Sequence, residues 1–145
     1  MMNSTFQFEQ LPVSHYPLVK AFYKKANYLN QIGRKDEVYV IRDLDKDNQI
    51  IAAVRLVKNA DYLILRSMVV MPENQRNGIG HFFLQQLRPF LQNRNCWCYP
   101  FEWLEGFYAH IGFKTFTPET APKLIENKYH QYLNQGRKIL IMGYP

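Results

Sequence analysis

Alternation of apolar and polar residues marks the first half of the chain. Phe6 and Phe8 alternate with polar neighbours, which is the period of a half-buried strand. Three further runs rich in Val, Ile, Leu and Tyr predict strands over residues 37–42, 49–58 and 62–71. The polar turns between them are short, so these strands are expected to form an antiparallel meander.

Helical spacing of apolar residues appears in four stretches. Ser14 is a candidate N-cap for the first helix, where Pro17 falls in the first turn. Pro89 predicts a kink or an early stop in the second, and Gly112 is placed to cap the third in a left-handed conformation. The last three helices are expected over residues 80–93, 101–110 and 122–134.

A short strand over 95–99 lies between the second and third helices. A strand, a crossover helix and another strand imply a parallel pair, because antiparallel neighbours need only a short turn. Further strands are expected to end at Phe116 and to run over 138–144. The pattern therefore predicts an α/β (α+β) fold with a mixed sheet.

The turn that follows the 62–71 strand is the strongest candidate for chemistry. Pro72 cannot donate to a sheet ladder, so the strand should end there. Gly78 and Gly80 permit positive φ or close approach of a ligand, and Arg76 adds a charged donor. A turn that leads into a helix N-terminus attracts phosphate, although a plain strand-to-helix turn explains the same glycines.

Two motifs carry a resemblance to a known family. The string Val70-x-Pro72-x-x-Gln75-x-x-Gly78-x-Gly80 resembles the acetyl-CoA signature of the GNAT superfamily of N-acetyltransferases. About thirty residues later, Phe107-Tyr108-x-x-x-Gly112-Phe113 resembles a second signature of that family. The resemblance is firm from about residue 50 to residue 116 and weak before that.

The resemblance implies a GNAT fold in a single domain, 1–145. Its central mixed sheet would have about seven strands, with a splayed parallel pair and helices on both faces. The pantetheine arm of acetyl-CoA would enter between the splayed strands like a missing strand. The implied cofactor-binding residues are Met68, Val69, Val70, Gln75, Arg76, Asn77, Gly78, Ile79 and Gly80.

Tyr108 is the catalytic candidate that the family motif implies. The tyrosine of this motif lies close to the CoA sulfur, where its phenol could protonate the departing thiolate. A backbone N–H near Val69 or Val70 could stabilise the oxyanion. The alternative for Tyr108 is a packed aromatic ring whose hydroxyl only orders the site.

A general base is not evident. Many relatives carry a Glu on the central strand where this chain has Arg66. An arginine in so apolar a strand is costly unless paired, so Arg66 and Arg55 each meet an internal carboxylate or bind an acidic group of the acceptor. Possible bases on the third helix, which more plausibly occupy surface positions, are Glu102, Glu105 and His110.

Composition narrows the remaining choices. The chain has 145 residues, 47% of them hydrophobic, and a net charge of +6, with its basic residues scattered. No membrane span or signal pattern is evident, so a cytoplasmic protein is expected. Cys96 and Cys98 are expected to be small buried hydrophobes, and no metal site is predicted.

Three functions follow from these observations. The first is acetyl-CoA-dependent N-acetylation of a primary amine on a small molecule or peptide, by direct attack in a ternary complex. The second is a catalytically weak acetyl-CoA-binding module, and the third is a basic nucleic-acid-binding protein, for which no Lys/Arg stripe is evident. The segment around Tyr28, Leu29 and Ile32 would line the acceptor site in the family, and a homodimer is left open.

Overall fold

A computed structural model describes residues 5–145. The seven strands are β1 (Phe6–Leu11), β2 (Glu37–Asp43), β3 (Gln49–Asn59), β4 (Tyr62–Val70), β5 (Cys96–Cys98), β6 (Lys114–Phe116) and β7 (Ile141–Tyr144). The four α-helices are α1 (Tyr16–Lys25), α2 (Ile79–Leu87), α3 (Glu105–Ala109) and α4 (Lys123–Asn134). The strands are hydrogen-bonded in the order β1-β2-β3-β4-β5-β7-β6. The predicted fold class is confirmed.

The first four strands form the predicted meander. β1 pairs antiparallel with β2 from Phe6–Asp43 to Leu11–Val38, and β2 pairs antiparallel with β3. A register shift between Ile41 and Arg42 interrupts the second ladder. β3 and β4 are neighbours joined by a two-residue turn, which only antiparallel strands allow.

β4 and β5 form the predicted parallel pair. Their register joins Leu63 to Cys96 and Ile64 to Trp97. On its other side, β5 pairs antiparallel with β7, which places Gly143 opposite Trp97. A Cβ on Gly143 would lie 2.8 Å from the indole ring, so only glycine fits under this tryptophan.

The helix boundaries differ from the sequence prediction at three places. Ser14 does not cap α1, because it lies in a 3-10 turn, and His15 at the cap position makes no side-chain bond. α2 ends at Leu87, as Pro89 predicts, and a 3-10 turn follows. α3 begins only at Glu105, because residues 102–104 form a 3-10 turn after Pro100.

The chain divides into two compact units. The first comprises the described part of Met1–Lys58 together with Leu65–Leu87. One face of its meander packs on α1 through a core that includes Leu11, Val19, Tyr23, Val38, Val40, Ala53 and Met71. Phe83 of α2 adds an edge-to-face contact with Phe8. This unit therefore carries the whole glycine turn.

The second unit comprises Asn59–Ile64 and Arg88–Pro145. Its core joins Ile64 of β4, Ile125 of α4 and Ile141 of β7, each at most 5% exposed. β7 begins at Ile141 rather than at residue 138 as predicted, and all four of its residues are buried, as predicted for the terminal strand. Cys96 and Cys98 of β5 are buried free thiols, and burial raises the pKa of Cys98 well above its ordinary value.

Within residues 5–145, no helix is both long and apolar enough to cross a membrane. The same residues contain no cluster of three or more metal-ligating side chains.

Candidate functional site

Backbone hydrogen bonds to β3 and within the turn itself fix the turn after β4. The Met71 N–H donates to the Ile51 carbonyl at 2.9 Å, and the next residue, Pro72, opens a 3-10 turn. The Asn74 N–H then donates to the Met71 carbonyl at 2.8 Å, and Asn74 is only 6% exposed. β4 therefore ends where Pro72 predicts, and a short 3-10 turn, in which Asn74 is buried, delivers the chain to the glycines.

Gly78 is the last residue of the turn before α2. Its φ of 78° lies in the left-handed region, and Arg76 also has a positive φ, 68°. α2 begins at the next residue, Ile79, and Gly80 lies inside the helix. Gly78 therefore uses the conformational freedom of glycine. Gly80 has an ordinary helical backbone, so the close approach of a ligand is the remaining explanation for a glycine at this position.

The first intrahelical bond of α2 runs from the Phe82 N–H to the Gly78 carbonyl, at 3.0 Å. The N–H groups of Ile79 and Gly80 precede this bond, in the position where helix amides lack intrahelical acceptors. The Ile79 side chain is 1% exposed. Ile79 can therefore serve a ligand only through its backbone.

Residues 75–78 are exposed, so this part of the turn is open to a ligand. The Gln75 side chain turns back toward the strand, where its Nε2 donates to the Val70 carbonyl at 2.9 Å. This bond ties the turn to the last residue of β4. The sequence placed Gln75 in the loop, but the partner of its side chain had no sequence signal.

β4 itself carries a distortion that no sequence pattern indicated. Ser67 has a φ of 59°, a left-handed conformation that is strained for a residue with a Cβ. Met68, Val69 and Val70 follow it directly and are partly buried. The predicted cofactor-contacting residues therefore begin immediately after this kink.

Arg55 of β3 is buried and paired. It is 5% exposed, and its Nη1 donates to Asp36 Oδ2 at 2.7 Å and to the Gln31 carbonyl at 2.8 Å. On the other side of the guanidinium, Nε and Nη2 donate to Ser67 Oγ at 3.4 and 3.3 Å. For Arg55 the internal carboxylate is thus the correct alternative.

Two tyrosines donate hydrogen bonds to the backbone of residues that Arg55 contacts. The Tyr23 hydroxyl donates to the Ser67 carbonyl at 2.7 Å, and the Tyr16 hydroxyl donates to the Asp36 carbonyl. Burial raises the pKa of Tyr23, although the Arg55 charge opposes that shift. Burial, together with the charges of Asp36 and Glu37, also raises the pKa of Tyr16. Both phenols therefore remain neutral donors at ordinary pH.

Arg66 differs from Arg55 in both its exposure and its contacts. Its side chain is exposed, and it makes no hydrogen bond or ion pair within the described part of the chain. The expectation of an internal carboxylate partner is wrong here, because a solvated guanidinium needs none. A lone cation therefore stands on β4 one residue before Ser67.

Tyr108 lies on α3 in the second unit and is 6% exposed. Its ring meets Phe107 edge-to-face at 5.1 Å and Phe113 at 5.7 Å. Gly112 follows α3 with a φ of 119°, and the Phe113 N–H donates back to the Tyr108 carbonyl at 3.3 Å. The predicted glycine cap is confirmed and turns Phe113 onto Tyr108.

The three candidate bases on this segment lie at the surface. Glu102, Glu105 and His110 are exposed, and Glu105 accepts a hydrogen bond from the Thr115 hydroxyl at 2.6 Å. The surface alternative is therefore correct for all three.

A family model described as "Acetyltransferase (GNAT) domain" matches residues 34–115, which is more than half of the chain. This span contains β2 to β5, the glycine turn and Tyr108. Among curated proteins, none matches this sequence.

Solved structures support the same fold. N-acetylglutamate synthase from Neisseria gonorrhoeae, complexed with coenzyme A and N-acetyl-glutamate, is 16% identical with a TM-score of 0.65. The match covers 99% of this chain but 35% of that one, so this chain spans about a third of that enzyme.

Two other solved structures match along most of their own length. The ribosomal-protein-S18-alanine N-acetyltransferase from Escherichia coli is 18% identical, with a TM-score of 0.65 and coverage of 97% of this chain and 93% of that one. A spermidine N-acetyltransferase chimera from Vibrio cholerae is 13% identical, with a TM-score of 0.60 and coverage of 97% and 95%.

Proposed function

This chain belongs to the GNAT acetyltransferase family, and on that premise we propose that it transfers an acetyl group from acetyl-CoA to a primary amine. The acceptor is a small molecule or a peptide. Acetyl-CoA is the co-substrate, and the amine attacks it directly in a ternary complex. The observation that carries the proposal is the glycine turn between β4 and α2.

The turn fits a diphosphate for three reasons. Gly78 holds a left-handed backbone, the amides of Ile79 and Gly80 precede the first helical bond, and residues 75–78 are exposed. A helix N-terminus offers both free donors and the positive end of the dipole. The exposed Arg76 supplies a positive charge beside them. These groups would hold the diphosphate of acetyl-CoA.

Residues 68–70 of β4 would hold the pantetheine arm. They follow the kink at Ser67 and are partly buried. Backbone groups of an extended strand can bind the amide groups of pantetheine as they would bind a neighbouring strand. An N–H near Val69 or Val70 would also donate to the oxyanion during acyl transfer, a contact worth about 3 kcal/mol in comparable enzymes.

Tyr108 is the proposed general acid. The bond from carbon to sulfur breaks as the amine nitrogen bonds to the carbonyl carbon, and the departing thiolate needs a proton. A buried phenol is a suitable donor for it. Tyr108 is 6% exposed, and its ring packs against Phe107 and Phe113, which supports this role because the packing holds the phenol in one place.

None of the three candidate side chains is assigned as the general base. Glu102, Glu105 and His110 are exposed. We propose that the amine loses its proton to water or reacts from its neutral fraction.

Arg66 is the proposed acceptor-binding cation. It is exposed on β4 and has no partner within residues 5–145. A guanidinium in this position would favour an acceptor that carries an acidic group close to its amine. The three solved relatives bear names with unlike acceptors, so the fold alone does not select one.

The test is release of free CoA from acetyl-CoA with a panel of amines. The panel contains matched amines with and without a carboxylate, a polyamine and an alanine-terminated peptide. Turnover that requires an amine and prefers the acidic members supports the proposal. Tight acetyl-CoA binding without turnover on any amine would replace it with the binding-module function. A steep salt dependence of RNA or DNA binding, without acetyl-CoA binding, would replace both.

Location in the cytoplasm, a single domain over 1–145 and a homodimer stay predictions.

A further inference from the structure

A buried polar cluster in the first unit joins the segment between α1 and β2 to β4, the strand that would hold the pantetheine arm. We define it as Arg55, Asp36, Ser67 and Tyr23. Arg55 and Asp36 have side chains only 7% and 10% exposed, and their atoms Nη1 and Oδ2 are 2.7 Å apart. A buried pair of this kind is weak evidence for stability, because desolvation offsets much of the attraction. A role in fixing one conformation is the better explanation.

One side of the cluster orders the segment between α1 and β2. Arg55 Nη1 donates to the Gln31 carbonyl at 2.8 Å. Asp36 Oδ2 also accepts from the Gly33 N–H at 2.8 Å, which closes the segment on itself. Asn30 lies next to this ordered stretch, and its Nδ2 is the buried side-chain donor without an acceptor in the described chain.

The other side holds the kink of β4. Arg55 Nε and Nη2 lie 3.4 and 3.3 Å from Ser67 Oγ, and the Tyr23 hydroxyl donates to the Ser67 carbonyl at 2.7 Å. A left-handed serine is less favourable than one in an ordinary strand conformation, because its Cβ approaches the following carbonyl oxygen. Bonds to both its hydroxyl and its carbonyl offset that cost.

The strain at Ser67 is placed where it affects the next three residues. A left-handed residue redirects the strand, so the N–H and C=O groups of Met68, Val69 and Val70 point differently than in a regular ladder. Strain that is held by several bonds is common at functional sites. Release of the kink would move the backbone donors that acyl transfer needs.

We propose that this cluster is a positioning device that couples the 30–36 segment to the kink of β4 and sets the backbone of Met68–Val70 for acyl transfer. The inference rests on the proposed function. Arg55 is then a positioning residue rather than an acceptor ligand, because its guanidinium is occupied by Asp36, Gln31 and Ser67.

The primary test uses Tyr23→Phe, which removes one hydroxyl and keeps the ring. Tyr39→Phe is the matched control: Tyr39 is 1% exposed in the same unit, and its hydroxyl donates to Glu37 Oε1 at 2.8 Å. We expect Tyr23→Phe to lower kcat about fivefold, the effect of one ordinary hydrogen bond. The Kd for acetyl-CoA should stay within twofold, and amide exchange at 68–70 should accelerate by a similar factor.

Asp36→Asn should have a larger effect than Tyr23→Phe. Ser67→Gly is used if the Asp36→Asn protein does not fold. Ser67→Gly removes the strain of the left-handed conformation, so the fold should persist. It also removes the hydroxyl that Arg55 contacts and frees residue 67 to adopt other conformations, so the kink should be less firmly held. Both should repeat the split between kcat and Kd.

Equal kcat and equal exchange in wild type and Tyr23→Phe would overturn the inference, as would an equal loss in Tyr39→Phe. Failure of the proposed function gives a different result. Wild-type protein would then neither bind acetyl-CoA nor release CoA, while amide exchange at 68–70 would still report whether the cluster holds the kink.

Discussion

The two family motifs of this chain differ in what their residues do in the structure. In the glycine turn, residues 75–78 are exposed, and Gly78 and Arg76 have positive φ. In the Phe107–Phe113 segment, Tyr108 and Phe113 are 6% and 2% exposed. The first motif depends on the conformation of its backbone, and the second depends on the packing of its side chains.

Because of this difference, substitutions in the first motif should affect ligand binding, and substitutions in the second should affect the stability of the fold. An exposed turn contributes little buried apolar area, so changes there should affect the ligand more than the fold. A buried aromatic group contributes mostly packing, so changes there should affect the fold unless they spare the ring. Variants can therefore be ordered by how much of each effect they should produce.

The largest expected effect is on stability, from Phe113→Ala. Phe113 packs edge-to-face on Tyr108 at 5.7 Å and on Tyr144 at 5.1 Å. We expect the free energy of unfolding to fall by about 3–5 kcal/mol, as for other buried phenylalanines. Urea denaturation measures it. Phe101→Ala, at a position that is 44% exposed, is the control. A loss at Phe113 no larger than at Phe101 would contradict the packing role.

Gly78→Glu should have the largest effect on binding. The new side chain meets a φ of 78° and adds a negative charge to the turn, so we expect acetyl-CoA affinity to fall more than about 100-fold, or 2.7 kcal/mol. Calorimetry measures it. Gly136→Glu is the matched control, because Gly136 has a φ of 84° and open space around it. Unchanged affinity in Gly78→Glu would refute the phosphate role of the turn.

Tyr108→Phe keeps the ring and removes the hydroxyl, so it should change chemistry alone. We expect kcat to fall about 100-fold, a typical effect of losing a general acid, with the acetyl-CoA Kd nearly unchanged. Steady-state kinetics and calorimetry measure the two quantities. If kcat is the same in both proteins, Tyr108 has no part in the mechanism.

The smallest effect should come from Gln75→Ala. This change removes the 2.9 Å bond from Nε2 to the Val70 carbonyl, and one such bond contributes about 1 kcal/mol. Because the bond restrains an exposed turn, we expect acetyl-CoA affinity to fall about fivefold and the free energy of unfolding to fall by no more than about 1 kcal/mol. A larger loss of stability than of affinity, in calorimetry and denaturation of one sample, would make Gln75 part of the fold instead of the site.

Sequence patterns predicted most of the fold because its signals are local. Alternating apolar residues, Pro72, Gly78, Pro89 and Gly112 each determine backbone geometry within a few residues. The antiparallel meander and the parallel pair followed from connection lengths, whereas the position of β7 between β5 and β6 was not predicted. The late start of α3 at Glu105 was missed, because a 3-10 turn and an α-helix share nearly the same apolar spacing.

The interior polar cluster could not be predicted in the same way. The cost of burying Arg55 indicated a partner that was either an internal carboxylate or an acidic group of the acceptor. The sequence did not identify Asp36, which lies nineteen residues away in a stretch without clear periodicity. The same argument was wrong for Arg66, because a strand pattern does not show which face of an apolar run is solvated. The left-handed Ser67 carried no signal, since glycine or asparagine would ordinarily occupy that conformation.

The central claim is that the amides of the glycine turn bind a diphosphate. An amide-resolved NMR titration with CoA, and in parallel with pantetheine, which lacks the diphosphate, tests it most directly. The account predicts that the amides of Gly78, Ile79 and Gly80 shift and saturate with CoA and stay in place with pantetheine. Shifts of equal size with both ligands, or none at these three amides with CoA, would contradict it.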